Sequence, residues 1–344
     1  MSLQVMQLSS EDDAELSNFL DALSQESVSV LGYHYPFFRN MLEKMGVGRP
    51  VYLGLRRSGR LCGYLPAFLK ESPVGTVFSS LPFFGPNAGV LCAQRDQAEA
   101  HSALLEELLR LAKESNALSC SVYTPFLSKP FESYESAFGE SIVVNKFMQY
   151  LEISRMNWPP YIQKNLRRAK KASVTVTTDL TRDSLATFYE IYRQNCADFG
   201  IPLKPRECIE FLASDAVRGK HSQFYFASME DQIVAGLLVL FSPSTVSYYV
   251  PCSRADYRTH QPGTLLIDEA VKDAQRRGLK YWNWESSPSR DSGVYQFKKK
   301  WDSLEDEYRV YIKTFQSEDD IRRLGRTGLA QHFPYYFVWP FDRL

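Results

Sequence analysis

Five cations, Lys164, Arg167, Arg168, Lys170 and Lys171, fall within eight residues of a chain whose 40 basic and 40 acidic residues cancel. At 3.6 residues per turn, Lys164, Arg168 and Lys171 share one helical face. Such a face can hold phosphates through charge-assisted hydrogen bonds. The plain alternative is a solvated face, but this much charge in a neutral chain tips the reading towards a phosphate-bearing substrate. A second feature is Tyr257-Arg258-Thr259-His260-Gln261-Pro262-Gly263-Thr264, the approach to a predicted helix. Unpaired N–H groups and the helix dipole attract anions there. Gly263 permits close approach, Arg258 adds a counter-charge, and Gln261 and Thr264 complete the turn. Taken alone, these residues suit an ordinary helix start better. The third is Gly293-Val294-Tyr295-Gln296-Phe297-Lys298-Lys299-Lys300-Trp301, which follows Trp282-Asn283-Trp284-Glu285 and a polar loop. A lysine held by aromatic rings can stabilise a phosphate or a developing oxyanion. On a surface helix the same lysines would merely be solvated.

Several chemistries lose their footing. The chain has no GxxxxGK[ST] loop, no GxGxxG and no GxSxG elbow, which removes the usual signs of an ATPase, a dehydrogenase or an α/β-hydrolase. Six scattered cysteines without a CxxC pair read as small buried hydrophobes in a reducing compartment. The five histidines lack ligand spacing, so no metal is expected. Zero net charge argues against DNA as a partner. The start, Met-Ser-Leu-Gln-Val, resembles no signal peptide. The longest apolar run, Ile233–Phe241, falls far short of the ~20 residues that span a bilayer. A cytoplasmic protein without a transmembrane segment, and a monomer, is the expectation.

Positioning these residues requires an alternation of strands and helices. Periodicity predicts helices over 11–22, 96–115, 161–171, 182–196, 205–217 and 263–277, the last stopped by Gly278. It predicts strands over 51–55, 61–69, 118–123, 222–228, 233–240, 245–250 and 280–284. The stretch from Ser72 to Leu91, with Leu81-Pro82-Phe83-Phe84-Gly85-Pro86 at its centre, is expected as an ordered loop wall. Twenty tyrosines and 22 phenylalanines favour sheet-rich packing. Strand, turn and strand recur around 53–68 and 226–241, with Gly63 and Gly236 early in the second strand. Each pair is followed by a helix, a short loop and a strand, at 96–123 and 263–284. Two copies of one α/β unit, meeting near Asn157, follow from this order.

Together the three features resemble the FemAB-like branch of the GNAT-fold acyltransferases. In that family an Asn-Leu-Arg-Arg-Ala-Lys-Lys helix, a Tyr-Arg-x-x-x-Pro-Gly turn and a Gly-x-Tyr-x-Phe-Lys-Lys segment occur in this order. Here they stand at 164–171, 257–266 and 293–299, and the likeness runs from about 158 to 312 and more weakly from about 33 to 125. The resemblance implies two tandem GNAT-like α/β domains, each a mixed sheet flanked by helices, with the active-site cleft between them. The expected division is 1–156, 157–316 and a tail, 317–344, packing back on the first domain.

The activity implied is N-acyl transfer to an amine acceptor of cell-envelope or exopolysaccharide metabolism. Acyl-CoA is the expected donor, taken up by Arg258, Gln261, Gly263 and Thr264. Two alternatives stand: a FemX-like aminoacyltransferase using charged tRNA on a peptidoglycan precursor, and a non-catalytic module binding RNA or a protein. By the resemblance Lys298 contacts substrate, with Lys299 its neighbour; by their shared helical face Lys164, Arg168 and Lys171 are the candidate phosphate contacts. By residue type and position, Glu285 is a candidate base, and Tyr295 or Tyr249 a candidate acid for the leaving group.

Overall fold

The computed structural model describes residues 3–82, 87–155 and 157–340. Phe83–Pro86, at the centre of the expected loop wall, lie outside the described residues, as do Met156 and Phe341–Leu344. The chain opens with β1 (Leu3–Gln7), α1 (Asp13–Gln25), α2 (Pro36–Lys44), β2 (Arg49–Pro50), β3 (Leu53–Arg57) and β4 (Arg60–Leu65). There follow β5 (Phe68–Ser72), β6 (Gly75–Ser79), β7 (Leu91–Cys92), α3 (Gln97–Glu114), β8 (Ser119–Tyr123), α4 (Phe131–Phe138) and β9 (Ile142–Glu152). The middle of the chain holds α5 (Pro160–Lys171), β10 (Thr175–Thr177), α6 (Arg182–Phe199) and α7 (Arg206–Ala213). Then come β11 (Ser222–Met229), β12 (Gln232–Phe241), β13 (Thr245–Ser253), α8 (Pro262–Arg276) and β14 (Tyr281–Ser286). The last elements are α9 (Gly293–Lys299), β15 (Leu304–Thr314) and α10 (Glu318–His332).

Two compact units share these elements: one runs up to Phe147 and resumes at Glu307, and the other is Met148–Asp306. Residues 148–156, assigned to the first domain by sequence, lie in the second unit because Met148–Glu152 pairs with β14. Residues 307–316 lie in the first because Val310–Thr314 pairs with β8.

In the first unit β1, β3, β4 and β7 form an antiparallel sheet. Beside it runs the order β15-β8-β6-β5-β2, in which only β6 and β8 are parallel. The strand β6 lies inside the stretch expected as loop. Pro73 and Gly75 mask its Thr-Val-Phe run in the sequence, but pairing on both sides makes it a strand. The amphipathic helix α3 lays Ala100, Leu104, Leu105 and Leu108 onto this core, against Leu53, Leu55 and Cys120.

In the second unit the order is β10-β11-β12-β13-β14-β9, antiparallel except for β13 with β14. Strand β12 is buried from Val234 to Phe241 because helices cover both faces. Leu237 and Val239 join Leu266, Ala270 and Val271 of α8. Gly236, on the opposite face, lies under Phe188 of α6, where a Cβ would stand 2.4 Å from the ring. Gly63 instead lies under Ala100 and Leu104 of α3. The element order repeats, but the two glycines serve different helices. The prediction for 61–69 is corrected to two strands, β4 and β5, broken at Pro66-Ala67, where proline cannot donate to a ladder.

Candidate active site

Pairing between β13 and β14 covers only Thr245–Ser247 against Tyr281–Asn283. Beyond it β13 continues to Ser253 alongside β12, which carries a register shift between Leu238 and Val239. The main chain of β13 thus has one edge turned away from the sheet, and a cavity of about 440 Å³ lies there. Pro251, Cys252, Ser253, Leu237, Leu266 and Phe199 supply much of its wall. Asn195 fixes the strand end: its amide donates to the Ser253 carbonyl at 2.9 Å and its Oδ1 accepts the Ser253 N–H at 2.8 Å.

All four residues assigned to the donor line this cavity: Arg258, Gln261, Gly263 and Thr264. Gln261 caps α8 in a left-handed conformation (φ 62°), which turns the chain sharply into Pro262. Its Oε1 accepts the Thr264 hydroxyl and its carbonyl accepts the Thr264 N–H, so the turn is held from both ends. A Cβ on Gly263 would meet nothing within 4 Å, so open space stands directly over the helix start. Arg258 is exposed, its guanidinium 5.1 Å from the Phe199 ring centroid.

The basic helix α5 buries Ile162, Asn165 and Ala169 and leaves Lys164, Arg168 and Lys171 exposed. Tyr161, in its first turn, reaches the cavity wall. A hydrogen bond with Asn165, with Lys300 and Lys164 nearby, lowers the Tyr161 hydroxyl pKa. The exposed face of Lys164, Arg168 and Lys171, expected to hold phosphates, thus begins one turn beyond the cavity-lining Tyr161.

A buried polar group lies at the end of β14. Lys298 is 3% exposed, and all three of its protons are used. They go to the carbonyls of Glu285 (3.1 Å) and Ser286 (2.8 Å) and to Ser287 Oγ (3.0 Å). Burial pulls its ammonium down to about 8, against the opposing pull of Glu285. These bonds fasten a bend in which Glu285 itself has φ 62°, a conformation uncommon for a residue with a side chain and often tied to function. Asn283 completes the bend, donating to Glu285 Oε1 and accepting the Glu285 N–H.

The charge of Glu285 also acts on Tyr249 and on Lys204. Burial drives the Tyr249 hydroxyl well above its usual range. Lys204 Nζ stands 4.9 Å from the Tyr249 ring centroid, and burial lowers it to about 8 as well. Glu285, Tyr249 and Lys298 are thus brought together, and Lys204 joins them without having been predicted. It sits in the Ile201-Pro202-Leu203-Lys204-Pro205 connection, whose composition marks only a loop. Two tyrosines of α6 position it: the Tyr192 hydroxyl accepts the Lys204 N–H and the Tyr189 hydroxyl donates to the Lys204 carbonyl. Tyr295 and Lys299 stand apart from this group. The Tyr295 hydroxyl turns to Glu305, which with burial raises its pKa, and Lys299 is exposed beside the Tyr295 ring. Cys252, on the cavity wall, keeps a protonated thiol because burial raises its pKa.

The opening beside β13, facing the start of α8, thus lies within the second of two α/β units. Residues 161–284 match the family model of the acetyltransferase (GNAT) domain. The fold of the chain is that of FemX over 93% of this chain and 99% of that one, at 14% identity and TM-score 0.70. A tandem GNAT protein from the clavulanic acid biosynthesis pathway matches at 13% identity and TM-score 0.57, covering 92% and 100%. The C-terminal domain of a putative lysylphosphatidylglycerol synthetase from Agrobacterium fabrum matches at 10% identity and TM-score 0.61, covering 96% and 99%. No curated protein matches by sequence. Among the described residues no helix is long and apolar enough to cross a membrane.

Proposed function

We propose that the chain moves an acyl or aminoacyl group from an activated donor, in the first place an acyl-CoA, to an amine acceptor of envelope or exopolysaccharide metabolism. The observation that carries this reading is the gathering of Arg258, Gln261, Gly263 and Thr264 around one cavity at the start of α8. A donor diphosphate suits the open space over Gly263, where the helix dipole favours negative charge. The thioester arm suits the apolar wall and the free edge of β13, whose main-chain groups can take up amides.

In the reaction the amine nitrogen attacks the thioester carbonyl and forms the C–N bond. The tetrahedral intermediate collapses with loss of the C–S bond, and the thiolate takes up a proton. Glu285 is the acceptor for the proton that an ammonium substrate must shed. Lys204, held at about 8, is close to the roughly 8.5 of an ordinary thiol and so is matched to protonate the thiolate, with the Tyr249 hydroxyl beside it. Lys298 acts by fixing the Glu285 bend and by adding positive charge near the developing oxyanion.

One observation favours a second reading, in which the donor is an aminoacyl-tRNA: the exposed cations of α5 lead away from the cavity mouth at Tyr161. Calorimetric titration with CoA, acetyl-CoA and a long-chain acyl-CoA separates the two. Saturable micromolar binding that is lost in Arg258→Ala supports acyl-CoA. Failure of all three ligands to bind overturns it, and charged tRNA becomes the donor to test.

A further inference from the structure

We infer that the first unit holds a second small-molecule site, at the start of α3, for a neutral, hydroxyl-rich molecule of monosaccharide size. A cavity of about 320 Å³ lies there, at the lower end of the roughly 300–1,000 Å³ range of ligand pockets. It is bounded by β7, by the first turns of α3 and by the segment after β8. The second unit's cavity is likewise bounded by the strand paired to β12 and by the start of the helix that follows. The internal repeat therefore puts the two cavities at matching places in their units. This inference is independent of the donor reading.

His101 marks the cavity as built for a ligand. It lines the cavity, is 2% exposed, and neither ring nitrogen has a hydrogen-bond partner among the described residues. Buried polar atoms left this way are rare, because their lost hydration is not replaced. The same unit shows that it can satisfy a buried imidazole. At His34, Nδ1 accepts the Leu31 N–H at 3.0 Å and Nε2 lies 3.3 Å from the Asn87 carbonyl. Burial lowers His101 to about 4, the Gln97 carbonyl one turn earlier opposing the fall. The ring is therefore neutral at pH 7 and offers one donor and one acceptor. A hydroxyl group can use both.

The rest of the lining selects against a nucleotide. Asp96 is the residue at the start of α3, 4% exposed and 2.5 Å from Arg57, and Glu99 follows in the first turn. A phosphate would meet two carboxylates already paired with Arg57 where α8 offers Gly263. The remaining polar groups include Gln94, Gln97, Ser29 and Ser128, neutral donors and acceptors above the apolar Phe126. Among the described lining residues only Lys129, exposed at the mouth, is charged.

The test uses the full chain with ¹⁵N-labelled histidine, titrated with N-acetylglucosamine and, separately, with glucose. With only five histidines, the ring signals are few, and those of His101 and His34 are marked by pKa values that burial lowers. The expected result is a saturable shift of the His101 ring signal by at least one sugar. Affinity should fall at least tenfold in His101→Phe, and a change at the donor cavity, Gly263→Val, should leave it unaltered. Gln97→Leu, at the partly open rim, should weaken binding severalfold and decides the matter if His101→Phe does not fold. The inference is overturned if neither sugar moves the ring signal up to about 50 mM, well beyond the weak millimolar range. It is also overturned if a folded variant binds as well as the parent, or if CoA displaces the sugar.

Discussion

At the scale of single residues, the Gln261–Thr264 turn, proposed to hold the donor, offers a substitution that separates binding from folding. Gly263 has an ordinary helical φ and no neighbour for a Cβ, so Gly263→Val should leave the melting temperature within a degree or two of the parent. It fills the space assigned to the diphosphate, and donor affinity should fall at least tenfold, about 1.4 kcal/mol, by calorimetry. Parent-like affinity would move the donor elsewhere. The two buried lysines give a pH signature. Below about pH 8, Lys204 and Lys298 are protonated in the folded and unfolded chains alike. Between about 8 and the ordinary 10.5 the unfolded chain binds more protons at these sites, so their contribution makes stability rise with pH. If the Lys204 proton serves the leaving thiolate, turnover falls through pH 8 while stability rises. Lys204→Met should remove that alkaline limb, lower turnover at least tenfold and, by removing a buried charge that costs about 3 kcal/mol, leave the fold no less stable. A pH–rate profile run beside thermal melts reads both signs. That Arg258 and Gly263 fall at one cavity was legible because they share a turn whose chemistry can be read locally. Lys204 was not, because a loop residue reaches its site only through the packing of α6.

At the scale of elements, strands and helices with one strong period were readable, and those whose pattern is broken by charge or by turn residues were not. The α3 and α8 stripes place their boundaries within a residue or two of the sequence reading. The long strands β9 and β15 escaped because Asn145, Lys146, Glu305, Asp306 and Glu307 interrupt the apolar alternation. Their pairing is set by distant partners that a local window cannot see. The covering of β12 by helices on both faces depends on close approach at one point. A methyl group at Gly236 would stand 2.4 Å from Phe188, which is itself packed edge-on against Phe224 and Phe226. Gly236→Ala should therefore destabilise the chain by about 1–3 kcal/mol through overpacking, visible as a lower midpoint in urea. Phe188→Leu in the same chain should restore part of the loss. The exposed face of α5 supports a prediction of the opposite kind. Reversing Lys164, Arg168 and Lys171 together to Glu changes no buried contact, so the fold should hold. Affinity for a phosphate-bearing donor should fall and lose most of its salt dependence. Unchanged affinity at low salt would reduce α5 to a solvated surface.

At the scale of the whole molecule, the chain leaves the first unit inside β9 and re-enters it inside β15. The element repeat made two units legible, because each copy keeps its helix and strand in order. The return was not legible, since nothing in Leu304–Thr314 names β8 as its partner. It gives the end of the chain a structural part in the first unit. Phe333, Val338 and Trp339 are buried, the Val338 carbonyl accepts the Ser119 hydroxyl at 3.0 Å, and Tyr336 donates to the Val47 carbonyl at 3.3 Å. Each large apolar side chain contributes about 1.5–3 kcal/mol by leaving water, and with Ile321 and Leu329 of α10 also buried, the sum rivals the 5–15 kcal/mol stability of a typical domain. Ending the chain after Gln316 should therefore abolish cooperative unfolding or leave the protein insoluble. Trp339→Ala alone should cost about 3–5 kcal/mol. If instead the shortened chain stays soluble and melts like the parent, the aromatic end is not part of the core, and its role shifts to docking a partner. In that case association with the partner, and not the melting curve, is what the truncation would change.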